Sequence, residues 1–215
     1  VLINIHTHSP VWAPNVLAIE SLYAGQPNPP VSPWQSAGLH PWHLPTPWTS
    51  AREWLDAHAA QDNTLAIGEA GLDKVCQTPW AWQVEAFEYC IGLSEKTGKP
   101  LIIHCVRAYA EVLQLKKVHQ PQQAWIFHGF DKNMATAQMA LKAGAYLSFG
   151  SALFRENNHA SEVLTTVPKD RFFLETDNSE WTIQQVYERA ATLRGCQMAE
   201  LERQMEENFR EVFRC

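Results

Sequence analysis

Short apolar runs and amphipathic stretches alternate along most of the chain. The apolar runs read as strands: LINIH (2–6), NVLAIESLY (15–23), SAGLH (36–40), NTLAIGEAG (63–71), PLIIHC (100–105), AWIFHG (124–129), AYLSFG (145–150) and RFFLETD (171–177). Between the later runs the apolar spacing shifts to a helical period. In 79–98, Trp80, Val84, Phe87 and Ile91 fall on one helical face, and in 198–213 Leu201, Met205, Phe209 and Val212 do the same. Gly98 and Pro100 punctuate the end of one helix and the start of the next strand. Prolines crowd the stretch from Pro27 to Pro47, leaving little room for helix there.

Parallel strands need helix-sized crossovers, so eight strands with helices between them predict an α/β chain closed into a small (β/α)8 TIM barrel, residues 1–215 forming a single domain. The first two crossovers are too short for full helices, and that edge should be irregular. An open doubly wound sheet is the alternative.

Composition narrows the class. With 215 residues, 46% hydrophobic and 19% charged, the chain fits one ordinary globular domain. No run approaches the roughly 18–20 apolar residues of a membrane span, and the first residues lack a secretory pattern. The five cysteines (Cys76, Cys90, Cys105, Cys196, Cys215) are scattered and lack C-x-x-C spacing. They are expected to be reduced thiols in a cytoplasmic protein with no membrane association and no obligate protein partner. A net charge of −6 argues against a broad basic surface for gripping nucleic acid. It leaves open a nuclease whose bound cations handle phosphate charge locally.

Candidate chemistry lies at the strand ends. His6 and His8 alternate at the end of the first strand, so both rings can reach one point beyond it. An H-x-H pair is weak evidence alone, but a parallel barrel gathers the C-terminal ends of its strands on one face. Those ends carry His6 and His8, then His40, Glu69, His104, His128 and Asp177. Each has a plainer reading: His104 or His128 as a buried histidine bonded to backbone, Glu69 as a helix cap, Asp177 as the cap of a helix beginning near Thr182. Holding together, those readings would leave several desolvated polar groups around one mouth. A metal cluster removes that cost. Imidazoles and carboxylates without thiolates suit a catalytic centre for Zn, Mn, Ni, Co, Fe or Mg, and two divalent ions sharing Glu69 are the economical arrangement.

The motifs NIHTH (4–8), AGLHPWH (37–43), AIGEAGLDK (66–74), KPLIIHCVRA (99–108), WIFHGF (125–130), AYLSFG (145–150), FLETD (173–177) and ENFREVF (207–213) together resemble the TatD-like family of metal-dependent hydrolases, within the amidohydrolase superfamily. The resemblance implies a TIM barrel with a dinuclear centre that hydrolyses DNA phosphodiesters. It implies His6, His8 and Asp177 on one ion, Glu69 bridging, and His104 and His128 on the other. The sequence departs from the family in having Asn4 where an acid is usual, and in a shorter segment between His8 and Gly38.

On that reading Asp177 takes the proton of the attacking water, and His40 or His43 is available to protonate the leaving oxygen or contact substrate. Arg107 and Lys74 are the candidate phosphate contacts, Trp12 and Trp42 could stack on a base, and Glu175 is an acid behind the site. Two other functions compete. One is a dinuclear amidohydrolase acting on a small amide, lactone or ester. The other is a metal-bound scaffold without catalysis.

Overall fold

The computed structural model describes residues 1–9, 13–26 and 32–214. Trp12 and Cys215 lie outside them. Eight parallel strands form one sheet in sequence order: β1 (Leu2–Thr7), β2 (Val16–Tyr23), β3 (Trp34–Gly38), β4 (Thr64–Asp73), β5 (Leu101–Val106), β6 (Trp125–Phe127), β7 (Tyr146–Phe149) and β8 (Phe172–Leu174). A parallel bridge between Thr7 and Asp177 brings the last strand back to the first, so the sheet is a nearly closed TIM barrel. Seven helices follow from β3 onward: α1 (Arg52–Ala59), α2 (Trp80–Thr97), α3 (Tyr109–His119), α4 (Met134–Lys142), α5 (His159–Thr166), α6 (Ile183–Arg194) and α7 (Met198–Phe213). The first two crossovers hold no helix among the described residues. None of the helices is long and apolar enough to cross a membrane.

The helices form where the pattern placed them, with one shift of face. Leu201, Met205, Phe209 and Val212 of α7 are all buried. On α2 the buried face runs through Gln83, Phe87, Cys90, Ile91 and Ser94, while Trp80, in the first turn, stays partly exposed. The α2 helix ends on Gly98 in the left-handed conformation (φ 68°), the geometry glycine adopts without steric cost.

Because β8 is only three residues long, the closing seam needs help. The OH of Tyr187, on α6, accepts from the Ile3 N–H at 2.9 Å and donates to the Ile3 carbonyl at 3.1 Å. It thus serves both backbone groups of a residue at the open end of β1. Asn208 of α7 donates to the carbonyls of Lys169 and Phe172, each at 2.9 Å. Nearer the mouth, Asp177 N–H donates to the His6 carbonyl at 3.0 Å and His8 N–H to the Asp177 carbonyl at 3.2 Å. The side chain of Asn4 spans the seam, donating to Thr176 Oγ1 at 2.8 Å and accepting from Thr176 N–H at 3.1 Å.

β3 and β4 approach so closely that a Cβ at Gly38 would sit 2.3 Å from the Glu69 carbonyl oxygen, which is rigid backbone. Gly38→Ala should therefore act as overpacking with no side chain able to yield. The expected loss is about 3 kcal/mol, or roughly 6–12 °C in Tm for a chain of this size. Gly92→Ala, inside α2 with open space around it, should instead be neutral or gain about 1 kcal/mol. Thermal denaturation followed by circular dichroism compares the two.

Candidate metal centre

Glu69 sits inside β4, where that strand shifts register against β5 between Ile67 and Ala70. Its carboxylate is buried and divides its two oxygens. Oε1 lies 2.7 Å from His104 Nδ1, 2.7 Å from His128 Nε2 and 3.1 Å from His40 Nε2. Oε2 lies 3.3 Å from His6 Nε2 and 3.2 Å from His8 Nε2. The same two nitrogens are 3.6 and 3.5 Å from Asp177 Oδ1. All seven residues named at the strand ends therefore meet at one mouth. Asp177 sits there with a left-handed backbone (φ 52°), which aspartate tolerates better than most side chains. Neither plainer reading of the acids holds, because Glu69 caps no helix and α6 is capped by Thr182, paired reciprocally with Gln185.

Three trios have donor atoms within 4.8 Å of one another: His6, His8 and Asp177; His6, Glu69 and His128; His40, Glu69 and His104. The hydrogen bonds behind the rings discriminate among these histidines. Trp42 N–H donates to His40 Nδ1 at 3.0 Å, so in neutral His40 the proton is on Nε2 and points at Glu69. That nitrogen can donate to the carboxylate but offers no lone pair to a cation. His104 and His128 have the opposite arrangement. Each faces Glu69 with one nitrogen and a second acid with the other: Asp73 Oδ2 at 3.0 Å from His104 Nε2, and Glu175 Oε1 at 3.4 Å from His128 Nδ1. A carboxylate behind a histidine orients the ring and frees the front nitrogen for a cation.

The residues present fit divalent ions. Nε2 of His6 and Oε2 of Glu69 are buried, 3.3 Å apart, and neither has a hydrogen-bond partner among the described residues. Two such atoms aimed at one point are costly without a cation to share. The donors are nitrogen and oxygen, the set preferred by borderline and hard divalent metals.

Charge follows the same layout. Burial alone would raise the Glu69 pKa, but His128 and the bonds from His104 and His40 hold it well below the usual carboxylate range. Burial would likewise raise Asp177, and His6 beside it outweighs that and holds it at about 2. Burial and His128 would lower His6, yet Asp177 and Glu69 raise it to about 9. His128 is raised well above its ordinary value, Glu69 outweighing burial. His40 and His43 are lowered, mainly by burial.

The mouth opens into a cavity of about 480 Å³, whose walls beyond the cluster are Tyr23, Gln26, Trp42, His43 and Asn178. His43 stacks on Tyr23 at 4.0 Å between ring centroids. Lys74 and Arg107 do not line this cavity. Lys74 pairs with Glu111 and lies 5.8 Å from the Trp80 ring, while Arg107 is exposed at the turn before α3. Asp73 was missed by the sequence reading. The signal available was its spacing, four residues beyond Glu69 on one strand and hence on the same face.

The family model of the TatD related DNase matches residues 24–214 of the chain. An uncharacterized metal-dependent hydrolase, TatD, of Mycobacterium tuberculosis is 31% identical over 152 residues, which is 67% of this chain and 57% of that protein. The chain thus spans a little over half the length of that relative. A protein of Pantoea vagans named 3'-5' ssDNA/RNA exonuclease TatD is 26% identical over 202 residues, covering 84% of this chain and 78% of its own. Among solved structures, the TatD homologue YjjV of Escherichia coli K12 superposes with a TM-score of 0.77 at 20% identity, over 85% of this chain and 77% of that one. That likeness shows the fold.

Two outcomes are expected of metal titrations. Asp73→Asn should weaken divalent-ion binding about 10–100-fold by releasing the His104 ring, and Glu69→Gln should weaken it further. Equilibrium dialysis against buffered Co²⁺ or Zn²⁺ measures both. Since His6 holds its proton up to about pH 9 in the ion-free protein, an ion must displace that proton at neutral pH. Because His128 is raised as well, affinity should rise with pH through the neutral range and beyond. Calorimetry in buffers of different ionisation enthalpy counts the protons released.

Proposed function

The chain belongs to the TatD-related DNase family, and on that footing we propose that it acts as a metal-dependent hydrolase cleaving phosphodiester bonds in DNA strands. One observation carries this reading. Glu69 presents one oxygen to His6 and His8 and the other to His104 and His128, an arrangement suited to two adjoining cations bridged by one carboxylate. His6, His8 and Asp177 would hold the first ion, and His104 and His128 the second. When bound, such ions supply an acidic water near neutral pH and a charge clamp for both oxygens of a phosphoryl displacement. The name of the Pantoea vagans relative supports nucleic acid as the substrate class.

The chain's own groups do the rest. Asp177, with its side chain 38% exposed to the cavity and its carboxylate ionised across the neutral range, accepts the proton of the attacking water at a free oxygen. His40 donates to Glu69 and keeps its carboxylate from rotating. Asp73 and Glu175 hold the rings of His104 and His128 in place. The cavity is of a size for one nucleotide unit.

A second reading, hydrolysis of a small amide, lactone or ester, is favoured by one observation. Among the described residues lining the cavity there is no lysine or arginine to hold a polyanion.

Purified protein supplied with Mg²⁺, Mn²⁺ or Zn²⁺ should shorten single-stranded DNA, and orthophosphate should inhibit it. Asp177→Asn should keep the fold and lower kcat by about 10²–10⁴-fold. A protein that binds metal but cleaves no DNA under any ion overturns the proposal. Turnover confined to an ester and amide panel establishes the second reading.

A further inference from the structure

Trp42 combines two properties that rarely occur together. It is the most exposed of the described tryptophans, at 59%, so its ring contributes little to the core. Yet it is firmly fixed. Its indole Nε1 donates to Asp73 Oδ2 at 2.6 Å, and its backbone N–H donates to His40 Nδ1 at 3.0 Å. Its ring packs T-shaped against His40 and His104, with centroids 5.4 and 5.7 Å away and interplanar angles of 80° and 74°. With more than half of the residue exposed, much of the indole surface stays available at the rim of the cavity. An apolar surface held rigid at the mouth of a reaction cavity loses little entropy when something planar lies on it.

On the phosphodiester reading, the remaining walls leave recognition of the strand to uncharged surfaces. Without lysine or arginine among the described lining residues, the cavity offers a strand no fixed cation beside the scissile group. Recognition then falls to flat surfaces, which bind bases of any sequence through their π-faces.

We propose that Trp42 is the stacking platform for an unpaired nucleobase of the bound strand, next to the phosphate that is cleaved. This rests on the phosphodiester reading above. A base inside a duplex has both faces covered by its neighbours and is unable to lie on the indole without leaving the stack, so the platform selects single strands. The same indole, through its bond to Asp73, also steadies the acid behind His104. The platform role and the positioning role are separable, because phenylalanine keeps a stacking face and lacks the N–H.

The test compares wild type, Trp42→Phe and Trp42→Leu on two single strands of equal length, one an intact oligothymidylate and one abasic throughout. Wild type should favour the intact strand in KM by about ten-fold, the worth of one stacked base. Both variants lose the bond to Asp73 and should lose activity alike on the two strands; beyond that shared loss, Trp42→Leu should lose the preference, while Trp42→Phe should retain most of it. Binding of the intact strand should also quench tryptophan emission in wild type, and less so in Trp42→Phe. Thermal melts confirm that both variants fold, as an exposed ring predicts. Equal KM for the two strands in wild type, or a Trp42→Leu enzyme that still discriminates, overturns the platform. Trp42→Phe and Trp42→Leu behaving alike, with the base preference intact, assigns Trp42 to positioning alone and also overturns it. Should neither oligonucleotide be cleaved, the phosphodiester reading fails. The quenching titration then decides the platform by itself, and no difference in quench between wild type and Trp42→Phe overturns it.

Discussion

The buried carboxylate of Glu69 is the constraint on which the rest of the structure depends. Removing such an ion from water costs several kcal/mol even after relaxation. Here five imidazoles, from four stretches of chain, bring nitrogens to within 2.7–3.3 Å of its two oxygens. No local segment could gather them. His6 and His8 come from the end of β1, His40 from just past β3, His104 from β5 and His128 from just past β6, and only a closed parallel sheet points these ends at one place. Barrel and centre are thus mutually dependent. The barrel assembles the ligating groups, and the cluster gives the buried acid its partners.

Around that carboxylate the polar groups are layered rather than merely crowded. His104 and His128 are each backed by an acid, Asp73 and Glu175, while His40 is backed by the Trp42 N–H, a donor. That difference in what stands behind a ring separates groups that present a lone pair from one that presents a proton. Geometry in front of the rings is similar for all three, and distance alone would have grouped His40 with the ligands.

The seam between β8 and β1 shows how a short strand can still close a barrel. Tyr187 and Asn208 finish the hydrogen bonding at the end away from the mouth, and the backbone of Asp177 finishes it at the mouth. Asn4 lies between them, its side chain joined to Thr176 by two bonds. Its amide both donates and accepts, and Thr176 directly precedes Asp177, so Asn4 bears on the position of Asp177 through the backbone.

The order of strands, the α2 and α7 helices and the residues at the strand ends were legible in the sequence because each depends on local pattern. Apolar runs, a 3.6-residue period and punctuation by Gly98 and Pro100 act over a few residues. Parallel topology then fixes which end of every strand carries chemistry. Which partner each ring faces was not legible, since it depends on side chains far apart in the chain. Asp73 reached His104 only once β4 and β5 paired, and Lys74, one residue along, turned away to Glu111. The sequence offered Trp42 as a stacking candidate but could not distinguish it from Trp12. Only the tertiary structure set it in the open, with its indole N–H tied to a buried acid, because exposure is a property of everything that fails to cover a residue.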